Sequence, residues 1–225
     1  MVARPSPRQL VVLRAVVVLA VVGLLGAAVA SGAFAHLGDP RVLARALAAT
    51  GWQGQLGFVL AYALLQPFAV PGTVFVFAAP LVWAWPTAFA LSMLGTMAAS
   101  VVGFSCARFL ARDWYAARLP QRLRRYDEMV ARQPFAAVFM LRLLLWMPQV
   151  LHAFLGVSAV PFWTHFWASL LGYAPPLLAV SYLGGSLLAP DGSWQPAATL
   201  QLTAWLLLCL LVALAVQRWG LRRSR

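Results

Sequence analysis

The stretch "RLLLWMPQVLHAFLG", residues 142–156, decides how the fold is read. From Gln133 to Pro190 the chain carries one formal charge, Arg142, placed early in an apolar run and six residues before Pro148. A run of about 20 apolar residues reads as a membrane-spanning helix. A proline in its middle removes an amide donor and clashes with the preceding turn. The run is therefore either a kinked span or a re-entrant hairpin that enters and leaves by the same face. Broken backbone at membrane depth must be buried in protein or line a wet cavity.

Composition supports the membrane setting. Of 225 residues, 63% are hydrophobic and 10% charged, against about 25% charged in ordinary globular domains. The apolar runs are 10–35, 57–85, 87–110, 134–160, 162–188 and 202–216. Two of them are broken: 57–85 by Pro67, Pro71 and Pro80, and 134–160 by Pro148 and Gly156.

Charge chooses between kinked spans and hairpins. All 17 basic residues counted with lysine are arginines, and arginine in short loops marks the inner face. With the N-terminus inside and both broken runs re-entrant, fourteen loop and terminal arginines lie inside and two, Arg41 and Arg45, outside. Every other combination places either the seven-arginine central loop or the C-terminal arginines outside. The net charge of +12 thus belongs to membrane anchoring, not to nucleic acid. The beginning, Arg4, Arg8 and Arg14 followed by an apolar run and "AVASGAFA", also has the layout of a signal peptide with a cleavage site; the sequence leaves that open.

An offset of 77 aligns the chain with itself. "TAFALSMLG" (87–95) falls on "THFWASLLG" (164–172) with five identities in nine, and Pro71 falls on Pro148. Each repeat is one broken hairpin and one full span, so the second copy starts from the opposite face. The expected fold is an all-α integral membrane protein: an inverted repeat of re-entrant hairpin plus transmembrane helix, flanked by N- and C-terminal transmembrane helices. The parts are an N-terminal unit (1–56), the core (57–188) and a C-terminal helix with a basic tail (189–225). Within the core lie repeat 1 (57–110), a basic inner loop (111–133) and repeat 2 (134–188). The unit 1–56 holds the first span and a short helix on the outer face over 39–55, with Asp39 as N-cap and Pro40 at the first helical position. The inner loop, interrupted by Pro120, reads as two amphipathic pieces at the headgroup layer. Inverted repeats with discontinuous helices are a transporter design, with the site near the midplane.

The segments "VPGTVFVFAAPLVWAWP" (70–86), "LGTMAASVVGFSCARFLAR" (94–112) and 141–187 resemble, in order and spacing, the DedA / SNARE-associated Golgi protein superfamily, also called the VTT-domain family. The similarity is nearest to its late-Golgi-vesicle-protein-like bacterial branch. Arg108 matches the family arginine that closes the first repeat, Arg142 and Pro148 its Arg-x5-Pro, and Gly172, Pro175, Tyr182 and Gly184 its closing pattern. The resemblance implies facing re-entrant hairpins and movement of phospholipid or polyprenyl phosphate between leaflets, in a bacterial inner membrane with both termini cytoplasmic. It departs in two places. Gln149 and His152 stand where relatives often carry an asparagine. Gln66 lies near where proton-coupled relatives carry an acid, and the spans here contain none.

The candidate substrate-binding residues are Arg142, Arg108, Gln149, His152 and Gln66. Pro71, Pro148 and Gly156 are the hairpin breaks, and Gly95 and Gly172 permit close helix packing. An intramembrane arginine is a functional candidate by default, and its fork of N–H donors suits phosphate oxygens. The alternative for Arg142 is snorkelling to the inner interface. His165 and His36 are expected at the interfaces. The expected partners are membrane lipids through a phosphate headgroup, and the bilayer; self-association is left open. No cofactor or metal is expected: Cys106 and Cys209 sit in separate apolar runs. An enzyme is not expected. No H-E-x-x-H or paired membrane carboxylates occur, and "GGSL" (184–187) with His152 is only a loose protease-like match. The rival functions are a small-solute or ion carrier and a non-transporting membrane homeostasis or assembly factor.

Overall fold

The structure, a computed structural model, describes residues 39–48, 50–67, 70–118, 132–145, 148–187 and 195–223, with Val16, Gly23, Val130 and Ser193 besides. The first apolar run and most of the basic loop lie outside the described residues. Among those described, all regular structure is helical: α1 (Pro40–Ala48), α2 (Gly51–Leu65), α3 (Gly72–Val82), α4 (Trp85–Arg118), α5 (Pro134–Leu145), α6 (Gln149–Val157), α7 (Phe162–Leu187) and α8 (Pro196–Arg223).

The start of α1 is as the sequence predicts. The Asp39 carboxylate accepts the Arg41 N–H at 2.9 Å, and Pro40 sits where its missing donor costs nothing. The helix does not reach residue 55, however. The Thr50 hydroxyl donates to the Leu47 carbonyl, and Gly51, at φ 53°, turns the chain into α2; this left-handed conformation favours glycine. Helix α4 also outruns its expected end. It continues past Leu110 to Arg118, because the first helix breaker after Pro86 is Pro120.

The runs break at Pro71 and Pro148, but not at Pro80 or Gly156, which the sequence also offered as breaks: Pro80 lies inside α3, and Gly156 lies inside α6, where it packs on α4. Pro71 (φ −57°, ψ 129°) precedes α3 and Pro148 (φ −68°, ψ 131°) precedes α6. Each proline carbonyl accepts an N–H three residues on, from Val74 at 3.1 Å and Leu151 at 2.9 Å. The starts of α3 and α6 are 77 residues apart, as are those of α4 and α7. The 11 residues of α3 and 9 of α6 rise only about 16 and 13 Å, short of a hydrocarbon core about 30 Å thick. Helices α4, over Trp85–Asp113, and α7 are long and apolar enough to cross.

Packing follows an exchange. Helix α2 lies on α4 and α5 on α7, but α3 lies on α7 and α6 on α4. Each short arm thus rests on the long helix of the other half, and α3 rests on α4 of its own half as well. The contacts correspond: a Cβ on Gly156 of α6 would strike Phe104 and Ala107 of α4, and one on Gly184 of α7 would strike Pro80 of α3. Ala107 and Gly184 are themselves 77 apart. Helices α4 and α7 also pack on each other, α1 covers α3, and α8 leans on α7.

The outer faces are apolar, unlike those of a water-soluble bundle, and the interior, though mostly apolar, holds polar stripes. On α7, Trp163, Trp167 and Leu171 are exposed, whereas His165, Ser169 and Tyr173 are buried. On α2, Trp52, Leu56, Leu60 and Leu64 form an exposed stripe at four-residue spacing. On α4, Ser92, Thr96 and Ser100 form a buried polar stripe at the same spacing. Hydrocarbon would cover the outer faces.

Candidate functional site

Arg142 is in the last turn of α5 and is fully buried, at 0% exposure. It does not snorkel. A Cβ on Gly172 would come within 2.7 Å of Arg142 Cβ and 2.9 Å of the Phe139 carbonyl. That glycine therefore lets α5 and α7 approach until the arginine stem lies on the α7 backbone.

The guanidinium is held on two sides. Its Nε donates to Ser169 Oγ at 3.3 Å, and Nη2 donates to Ser100 Oγ at 3.1 Å and to His152 Nδ1 at 3.1 Å. Its Cζ lies 5.0 Å from the Tyr173 ring centre, within cation–π range. Both serines are shared with a second imidazole: His165 Nε2 is 3.1 Å from Ser100 Oγ, and His165 Nδ1 is 3.5 Å from Ser169 Oγ. Arg142, Ser100, His165 and Ser169 thus close a hydrogen-bonded ring joining α4, α5 and α7.

His165 is where the sequence reading and the structure part. Expected at an interface, it is fully buried and stacked on Phe104 at 4.2 Å and 15°. Its four-residue spacing to Ser169, which sets both on one face of α7, was the signal for this. Ser100, which completes the ring, comes from a helix 65 residues away; its four-residue spacing to Thr96 and Ser92 marks a polar face of α4 but not the partner that face meets.

Arg108 is placed differently from Arg142. Its Nε donates to the Gly156 carbonyl at 2.9 Å, and Nη2 donates to those of Ser158 at 3.0 Å and Val160 at 2.7 Å. A cation thereby closes the C-terminal end of α6, where the helix dipole favours positive charge. Arg108 also lies over the Phe104 ring at 4.3 Å, so Phe104 links it to His165.

His152 is brought to Arg142 and Gln149 is not. Gln149, partly buried, is the first residue of α6. Gln66 is buried just past the end of α2. The Arg142 hydrogen bonds go elsewhere, yet the two breaks are close. A Cβ on Gly103 of α4 would meet both His152 Cβ, at 2.8 Å, and Pro67 Cβ, at 3.4 Å. Gly95 takes the packing role expected of it, against Tyr62, whose hydroxyl accepts from Thr96 at 2.8 Å.

Electrostatically, the site is one buried cation among neutral donors and acceptors. The chain has no Asp or Glu between residues 129 and 190, and no carboxylate among the described residues pairs with Arg142. Burying an unpaired charge costs several kcal/mol even after relaxation. The serine ring, the imidazole and the Tyr173 face offset part of that cost, and an anion would offset the rest. No group of three or more His, Cys, Asp or Glu able to hold a metal occurs among the described residues.

The sequence model of the VTT domain matches residues 70–186, just over half of the chain and the segment that holds every residue of this site. No curated protein and no solved structure matches.

Proposed function

The chain belongs to the VTT-domain family, and on that premise we propose that it is a membrane lipid transporter, not an enzyme, moving a phospholipid or polyprenyl phosphate between leaflets. The observation that carries this reading is Arg142, a fully buried guanidinium with no carboxylate partner among the described residues. Such a group is stabilised when a phosphate passes and supplies the missing charge.

The architecture we propose is an inverted repeat with two re-entrant hairpins, α2–α3 and α5–α6. Supporting it are the matched starts at an offset of 77, arms too short to cross, the exchange of arms between halves and the approach of both breaks to Gly103. The arginine balance favours both termini and the central loop inside, and the resemblance to the bacterial branch of the family suggests an inner membrane. With Asp113, at the very end of the α4 span, as the one acid in the apolar segments named here, the protein would move lipid down a gradient and without proton coupling.

In proteoliposomes the purified chain should carry a labelled phospholipid or polyprenyl phosphate between leaflets, and folded Arg142→Ala should not. Undiminished exchange in that variant removes Arg142 from the mechanism. Uptake of a water-soluble solute without lipid exchange would instead make the protein a solute carrier. A single cysteine placed at residue 120 should react only from the inner face. Labelling from outside would refute the two-hairpin topology.

A further inference from the structure

His165 is fully buried, at 0% exposure, and both of its ring nitrogens face oxygens that already serve Arg142. Nε2 lies 3.1 Å from Ser100 Oγ and Nδ1 lies 3.5 Å from Ser169 Oγ. The same two oxygens receive the guanidinium, from Nη2 at 3.1 Å and from Nε at 3.3 Å. The ring thus reaches Arg142 through two hydroxyls. Packing alone does not ask for this. The ring stacks on Phe104, which a phenyl group would do as well. At the 77-residue offset the first half fills the corresponding place with Ala88, also fully buried. A buried imidazole costs stability unless its nitrogens are used, and here both are used on the oxygens that hold Arg142.

What the imidazole supplies follows from donors and acceptors. Arginine nitrogens only donate, so both serine oxygens accept, and each serine keeps an O–H to place. On a helix that proton turns readily to the carbonyl four residues back, which is that of Thr96 for Ser100 and of His165 for Ser169. A neutral imidazole has one donor and one acceptor nitrogen. In either tautomer it can take the proton of one serine and give its own to the other. Both hydroxyls are then held in the seam between α4 and α7, with lone pairs toward Arg142. Two oxygens on one guanidinium fix its plane.

Resting on the lipid reading above, we propose that His165 is a positioning residue for Arg142: it sets Ser100 and Ser169 so that the guanidinium keeps one orientation, and it does not touch the lipid itself. Arginine recognises phosphate by the direction of its N–H bonds as well as by charge. Loss of the frame therefore slows transport while the charge is still in place. Ser100 and Ser169 stand on α4 and α7, whereas Arg142 stands on α5. The imidazole thereby ties the guanidinium to the two long helices.

The test uses the full-length purified protein in proteoliposomes with labelled phosphatidylglycerol and a labelled polyprenyl phosphate. His165→Phe keeps a ring for Phe104 and loses both nitrogens. His165→Gln gives up the ring and restores a donor and an acceptor. Exchange should fall ~10-fold in His165→Phe, and His165→Gln should recover most of that loss. The losses from Ser169→Ala and His165→Phe should be less than additive, since the ring acts through that hydroxyl. A second readout needs no lipid. In the heteronuclear NMR spectrum of protein labelled on its arginine nitrogens, the Arg142 Nε–H, recognised by its absence from Arg142→Leu, should be sharp and slow to exchange with water. It should exchange faster in His165→Phe and slow again in His165→Gln. Where His165→Phe does not fold, His165→Leu takes its place. Undiminished lipid exchange in the apolar variant, a glutamine variant no better than it, or an Nε–H signal indifferent to both would reduce His165 to packing. A signal that loosens and recovers as expected, in a protein that moves neither lipid, would uphold the positioning of Arg142 and refute lipid transport. Lipid exchange in the wild type with no effect of His165 on rate or signal would do the reverse.

Discussion

The two halves place different chemistry on corresponding backbone. At the 77-residue offset, Arg142 corresponds to Leu65, His152 to Phe75, and His165 to Ala88. Ser100, lent by the first half, corresponds to Leu177, which is fully buried. Only Ser169 keeps its identity, in Ser92. In the first half this place is an aromatic core: Phe75 stacks on Tyr62 at 4.5 Å and meets Phe58 edge-on at 5.8 Å. In the second it is a charge held by hydroxyls and an imidazole. One half therefore demonstrates that the local fold needs no cation. The polar cluster costs stability that apolar packing would have supplied, and such a cost is expected at a functional site.

The sharpest way to break this comparison is Arg142→Leu, which gives the second half the residue of the first. Leaflet exchange should fall at least ~100-fold, the loss of about 3 kcal/mol of charge-assisted contact. The Tm in detergent should stay level or rise, since apolar replacement of buried ions is often neutral or stabilising. A large drop in Tm would mean that the arginine is there for the fold. The reverse graft, Phe75→His, should cost roughly 3 kcal/mol, read by thermal or denaturant unfolding, because Leu65 stands where Arg142 meets His152 in the other half and no guanidinium waits for the imidazole; a neutral result would show that the two halves are interchangeable. The smallest effect should come from Arg108→Ala. Losing three carbonyl contacts at the end of α6 should cost about 1–2 kcal/mol. It should raise amide exchange over residues 156–160 with little change near α3, whose end meets Gly184 through Pro80 and no cation. Equal loosening of both arms would contradict the assignment of Arg108 to α6.

Much of this arrangement was legible in the sequence, for local reasons. Pro71 and Pro148 stand just before a helix start, where fixed φ and the missing N–H cost nothing, whereas Pro80, Pro175 and Pro176 lie inside helices without ending them. Asp39 and Pro40 start one by side-chain chemistry and fixed φ. Arg142 stood out because an apolar run has no other charge. The ends of α1 and α4 were less legible. A continuous helix over 39–55 is ruled out by Gly51, whose positive φ the sequence permits but does not demand. The reach of α4 to Arg118 follows from the absence of a breaker, a weaker signal than its presence. The ring around Arg142 was least legible. His165 and Ser169 share a helix face, but Ser100 and His152 join them only through the packing of α4, α6 and α7. Tyr173, amid apolar neighbours in sequence, has no local mark of a polar role.

The crossing of each short arm onto the opposite half has a consequence for biosynthesis. When α3 leaves the ribosome, the surface it will rest on, α7, is still about 80 residues from being made. Until then α3 has only α1, α2 and α4 against it. Each half therefore completes its packing only when the other is present. Cut within the central loop, the chain should yield two fragments that are each poorly folded and that recover one compact state when produced together.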